Sequence, residues 1–156
     1  MLLVDTSVWI EVFRPRGVRL DDLVDFDDIV TCLPVLQEVL QGFGDERAYA
    51  IARDAMGALP IVESPLRREA FEEAAGLFRA ARRAGLTIRS GVDCLIAACA
   101  MRNGLTVLHC DRDYDQLARV APLETRRLRA RCGGAARRTS GFGPQASGLR
   151  PKASGP

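Results

Sequence analysis

Four acidic residues, Asp5, Glu38, Asp93 and Asp111, stand where a chain can turn carboxylates toward one point. Asp5 ends the uncharged run Leu2 to Val4, and Asp111 ends the apolar, β-branched run Leu105 to Cys110. Glu38 and Asp93 fall in the first turns of segments with helical character. If the apolar runs are parallel strands, all four lie on one edge of the sheet, where open α/β folds collect their ligands. Carboxylates gathered there repel one another and raise each other's pKa unless a divalent cation neutralises them. Oxygen-only ligands suit magnesium or manganese. Such a site generates a nucleophile from water and steadies a phosphoryl oxyanion, the chemistry of metal-dependent phosphodiester hydrolysis. Each acid also has a structural reading. Asp5 can cap a helix, Ser90-x-x-Asp93 is a capping-box pattern, Glu38 can be a solvated helix residue, and Asp111 can make an Asx turn. Recurrence at one edge is what favours the cation.

The elements that must position these acids are legible as an alternation. Leu2 to Val4 reads as a buried strand, followed at once by a helix carrying Val8, Trp9, Ile10, Val12 and Phe13. Arg14 to Gly17 is a turn, and Arg19 to Phe26 a short helix. Ile29 to Leu33 is the second strand. Pro34 then opens a helix with Val35, Leu36, Val39, Leu40 and Phe43 on one face, ended by Gly42 and Gly44. The next helix turns Ala48, Ile51, Ala52, Ala55 and Met56 inward. Leu59 to Glu63 is a third strand. Pro65 begins an amphipathic helix to about Ala84 that buries Ala70, Phe71, Ala74, Leu77, Phe78 and Ala81, with Gly85 at its end. Cys94 to Met101 has no polar side chain apart from two thiols, and its alanines predict a helix buried on most sides. Leu105 to Cys110 is the fourth strand, Asp111 to Ala118 a turn into a short helix, and Leu123 to Leu128 a last strand. Strands alternating with helices predict a parallel sheet.

Composition narrows the function classes. No apolar run approaches the roughly 20 residues of a membrane span, and Leu2 to Val4 is too short for a signal-peptide core, so a cytoplasmic protein is expected. The five cysteines form no CxxC pair and suit small buried hydrophobes rather than a disulfide framework. The single histidine, His109, cannot build a zinc site alone. The only lysine is Lys152, so a phosphoacceptor receiver, which needs a lysine near its acyl phosphate, is excluded. Ser7 stands where a haloacid-dehalogenase-type phosphatase carries its second aspartate, and no glycine-rich turn follows the first strand, as a dinucleotide binder requires. The net charge of +2 is uneven: residues 1–125 carry −6 and residues 126–156 carry +8.

Four stretches carry a resemblance. VDTSVWIE at Val4 to Glu11, PVLQEVLQG at Pro34 to Gly42, RSGVDCLIAACA at Arg89 to Ala100, and LHCDRDYDQLA at Leu108 to Ala118 resemble, in this order and spacing, the signature blocks of the PIN-domain family, most of all its VapC-type toxins. The resemblance covers about residues 1–128. It implies an α/β fold, a PIN-like three-layer α/β/α arrangement with a central parallel sheet of four to five strands. It matches Asp5, Glu38, Asp93 and Asp111 to the family's metal-binding acids and catalytic centre. Thr6 or Ser7 matches the hydroxyl beside the first acid, and Asp113 and Asp115 a more variable acidic position. It implies a Mg2+- or Mn2+-dependent endoribonuclease acting on RNA, transfer or ribosomal RNA among the substrates, with a VapB-type antitoxin partner and a homodimer. Arg14, Arg89 and Arg112 are candidate contacts for RNA phosphate. The alternative from another class is a catalytically inactive PIN-fold protein that binds protein or RNA.

The expected organisation is a folded domain over residues 1–131 and a disordered basic tail over residues 132–156. The tail is rich in Gly, Ala, Arg, Ser and Pro, and only Phe142 and Leu149 offer much apolar surface. Deleting the chain after Cys132 is therefore expected to leave cooperative urea unfolding unchanged. An insoluble truncated protein, or one without a cooperative transition, would show that the tail belongs to the core.

Overall fold

Strand β1, Leu2–Val4, lies at the centre of the sheet because its apolar run has no face that needs water. The computed structural model describes residues 1–14 and 17–128. Around β1 stand β2 (Ile29–Cys32), β3 (Ile61–Val62), β4 (Thr106–His109) and β5 (Thr125–Arg127), in the order β3-β2-β1-β4-β5. Every pairing is parallel, with Leu3 opposite Val30 on one side and Val107 on the other. The expected sheet of four to five strands therefore has five. Strands β1, β2 and β3 step outward in one direction, whereas β4 and β5 lie beyond β1 in the other. Right-handed crossovers then place helices on opposite faces. The helix packing follows that division. Helices α1 (Thr6–Phe13), α2 (Leu33–Leu40) and α3 (Glu46–Gly57) pack in sequence, and α4 (Arg68–Arg83), α5 (Gly91–Arg102) and α6 (Arg112–Leu117) pack on one another. The order reverses between β1 and β4, and at such a switch point a crevice opens beyond the carboxyl ends of the strands.

Helix α5 is buried on most sides, as its composition predicts: Cys94, Ile96, Ala97, Ala98, Cys99 and Ala100 are all inaccessible. Its small side chains admit α4 at close range. The stripe of α4 that faces inward is correspondingly slight, made of Ala70, Ala74, Leu77 and Ala81. Both helices end on a glycine in the left-handed region, Gly85 at φ 72° and Gly104 at φ 60°. There the Leu86 and Leu105 N–H groups reach back to the Ala81 and Ala100 carbonyls, each at 2.9 Å. Cys32, Cys94 and Cys99 are free and buried, as small hydrophobes would be.

Four local expectations are corrected. Phe71 and Phe78 are 52% and 36% exposed, because the narrow alanine stripe seats the helix and leaves these rings on its flank. Ile51 is also exposed, one position off the Ala48, Ala52, Met56 stripe of α3. Residues 19–26 form no continuous helix. They give separate 3₁₀ turns at Leu20–Asp22 and Phe26–Asp28, since Asp21, Asp22, Asp25, Asp27 and Asp28 compete for backbone bonds; the Asp25 carboxylate accepts the Asp27 N–H at 3.3 Å. Helix α4 begins at Arg68 rather than Pro65. Among the described residues no helix is long and apolar enough to cross a membrane. The expected basic tail lies outside the described residues.

Leu3 is fully buried in the central strand, with neighbours on both sides. Leu3→Ala is expected to lower unfolding free energy by about 2–5 kcal/mol, since a close-packed sheet cannot collapse around the cavity. Chemical denaturation checks this, and a loss below about 1 kcal/mol would contradict the packing described.

Candidate functional site

The crevice beyond β1 and β4 is built by hydrogen bonds that tie the strand ends together. The Asp5 N–H donates to the Leu108 carbonyl at 2.9 Å, extending the β1–β4 ladder by one bond. The next residue along β1's exit, Thr6, starts α1, so Asp5 is its cap and its carboxylate accepts the Ser7 N–H at 2.8 Å. The structural reading of Asp5 as a cap is thus correct as far as it goes. Cap and candidate ligand are not exclusive here. The Ser7 hydroxyl also donates to Asp5, and it accepts the Cys110 N–H at 2.9 Å. One serine therefore joins the ends of both central strands.

The opposite oxygen of Asp5 accepts the Tyr114 hydroxyl at 2.6 Å. Tyr114, in α6, is fully buried. Burial first, then the charges of Asp5 and Asp93, hold its phenol well above its ordinary pKa, so it remains a donor. Sequence reading missed Tyr114. The available signal was its place on the buried side of a short helix, since a buried phenol needs an oxygen partner.

Asp93 sits in the first turn of α5. Its N–H donates to the Ser90 hydroxyl at 3.4 Å, the cap half of the expected box. Because α5 leads back to β4, its amino end lies at the sheet's carboxyl edge. Asp5 and Asp93 are each only 3% exposed. Glu38 lies in the second turn of α2 rather than the first, a correction that follows from the helix starting at Leu33. It still reaches the site edge, where its carboxylate accepts the Thr6 hydroxyl at 2.8 Å.

Asp111 caps α6, accepting the Asp113 N–H at 3.0 Å. Its carboxylate is also held by the Arg89 guanidinium. Asp113 is wholly buried and takes two bonds from Arg89, the backbone N–H at 2.7 Å and Nε at 3.2 Å. Desolvation works against the Arg89 charge, but Asp111 and then Asp113 outweigh it and raise its pKa. Burial first, then the charges of Asp93 and Asp113, push the Cys94 thiol up to about 11. Asp115 lies away from this knot and is held by Arg127. Of the candidate phosphate contacts, Arg14 pairs with Glu11, Arg89 with two acids, and Arg112 is exposed at the start of α6.

The donor chemistry suits a hard divalent cation. Asp5 and Asp93 are nearly inaccessible carboxylates, the Tyr114 phenol bonds Asp5, and the hydrogen bonds on Asp5 come from neutral groups. Among the described residues no three His, Cys, Asp or Glu side chains already stand together as a cation-binding cluster. Asp111, the acid that would make a third, is engaged by Arg89.

The PIN domain family matches residues 2–120. The chain is 38% identical over 135 residues to "Ribonuclease VapC11" of Mycobacterium tuberculosis, an alignment covering 83% of this chain and 100% of that protein. Two solved structures share the fold. One, titled as VapBC-5 from Mycobacterium tuberculosis, a member of the VapBC family of toxin-antitoxin systems, is 25% identical with a TM-score of 0.61, covering 81% of this chain and 98% of that one. The other, VapBC2 from Rickettsia felis bound to a DNA fragment from their promoter, is 17% identical with a TM-score of 0.65, covering 81% and 98%.

Tyr114→Phe removes one hydroxyl and leaves the buried Asp5 carboxylate one donor short. The expected cost is about 1.5–3 kcal/mol, the range for a hydrogen bond to a charged group. Urea unfolding at neutral pH measures it. Unchanged stability would show that the phenol does not hold Asp5.

Proposed function

We infer, since this chain belongs to the PIN-domain family, that it is a metal-dependent endoribonuclease and the toxin of a toxin–antitoxin pair. The observation that carries the reading is the buried Asp5 carboxylate at the switch point, supplied with donors by Ser7 and Tyr114 but, among the described residues, with no ion pair to a cationic side chain. An acid buried this way calls for a positive charge that arrives from outside the chain. Asp5 and Asp93 would hold a Mg2+ or Mn2+ ion, with Asp111 and Glu38 completing the acidic rim. When bound, that ion supplies charge stabilisation for phosphoryl oxygen and acidifies water.

The protein's own part is positional. Ser7 and Tyr114 fix the two Asp5 oxygens, so the carboxylate meets its ligand without reorganising. Thr6 holds Glu38 over the crevice as a candidate proton acceptor. Arg112 is exposed at the rim, where an RNA phosphate would pass. Asp113 serves chiefly to anchor Arg89, and Asp115 pairs with Arg127. The identity to a named ribonuclease supports an RNA substrate, with transfer and ribosomal RNA the first to test. The likeness to a toxin–antitoxin complex supports a VapB-type antitoxin partner, and the family resemblance implies a homodimer acting in the cytoplasm.

Asp93→Asn separates a capping acid from a ligand. It keeps a side-chain oxygen and forfeits the charge. As a cap alone, Asp93 would lose at most about 1 kcal/mol through the helix dipole, and activity would persist. The ligand reading predicts that manganese raises the wild-type melting temperature, that the rise shrinks in Asp93→Asn, and that cleavage of total RNA falls by orders of magnitude. Cleavage at the wild-type rate would remove Asp93 from the site. Wild-type protein that neither gains stability from manganese nor cuts RNA would leave the inactive binding module standing.

A further inference from the structure

Arg89 reaches the site by three bonds of unequal standing. Its backbone N–H and Nε both go to Asp113, which is wholly buried. Its Nη2 goes to Asp111, whose side chain is 23% exposed. The guanidinium therefore bridges one acid that belongs to the interior and one that faces the crevice. Its own side chain is 51% exposed, so a path to water is open without repacking. The backbone bond to Asp113 would persist if the guanidinium left, and would keep the segment before α5 in place.

We infer that the Arg89 guanidinium is an internal competitor for the divalent cation, holding Asp111 in the metal-free protein and releasing it when the cation binds. The inference rests on the metal-dependent reading above. Two positive groups cannot share Asp111 at close range without mutual repulsion. The guanidinium fork meets the two carboxylates through separate nitrogens, Nε to Asp113 and Nη2 to Asp111. The isolated protein thus stores its crevice acid in a neutralised form. Metal affinity is then set partly by a side chain that need not touch the metal.

The test uses the full chain labelled with 15N and titrated with Mg2+, following the Arg89 Nε–Hε resonance, assigned by its loss in Arg89→Lys, beside the Asp93 backbone amide. The expected result is that both move with one shared, saturable midpoint, and that Arg89→Gln binds Mg2+ about tenfold tighter, the order of coupling between two ligands of one site. Arg89→Lys keeps the charge but loses the fork, and it is expected to fall between wild type and Arg89→Gln. If the Asp93 amide saturates while the Arg89 resonance stays still, or if Arg89→Gln binds no tighter than wild type, competition is overturned and the metal reading stands. If nothing saturates, both fall.

Discussion

The structure depends on carrying one carboxylate, Asp5, into a site with almost no contact with water. Burying a charge costs heavily unless donors meet it, and the elements around the switch point supply them. The turn out of β1 gives the Ser7 N–H and hydroxyl, and α6 gives the Tyr114 hydroxyl. The Cys110 N–H, at the exit of β4, holds the serine that holds the acid. The parallel pairing of β1 with β4 makes this economical, because it brings two strand exits side by side. The same pairing makes the edge acidic, since both exits and the amino end of α5 carry an aspartate there.

The electrostatics divide this edge into two parts. Asp5 and Asp93 lie in the interior, Asp5 bonded by Tyr114, and Arg89 joins the buried Asp113 to the partly exposed Asp111. An arrangement of four carboxylates with one guanidinium leaves negative charge in excess. Arg112, at the start of α6, stays exposed at the rim.

Much of this was legible in the residues. The strand exits at Asp5 and Asp111 and the buried α5 follow from apolar runs that stop at a charged residue, and the five parallel strands from regular alternation. What the sequence could not specify was pairwise. The exposure of Phe71 and Phe78 depends on how close α5 lets α4 approach, a property of alanines in another segment. The 3₁₀ turns at residues 20–28 reflect side chains competing for local backbone bonds, which periodicity does not register. Arg89 looked like a free rim arginine because its partners lie 22 and 24 residues away. Tyr114 escaped notice for the same reason, its acid being 109 residues distant.

The central claim is that Asp5 and Asp93 together hold a divalent cation. Crystals of the full chain soaked in manganese, measured near the manganese absorption edge, test it directly. The account predicts an anomalous peak in contact with an oxygen of each of Asp5 and Asp93, lost in crystals of Asp5→Asn. A peak elsewhere, or none with manganese in excess, would contradict it.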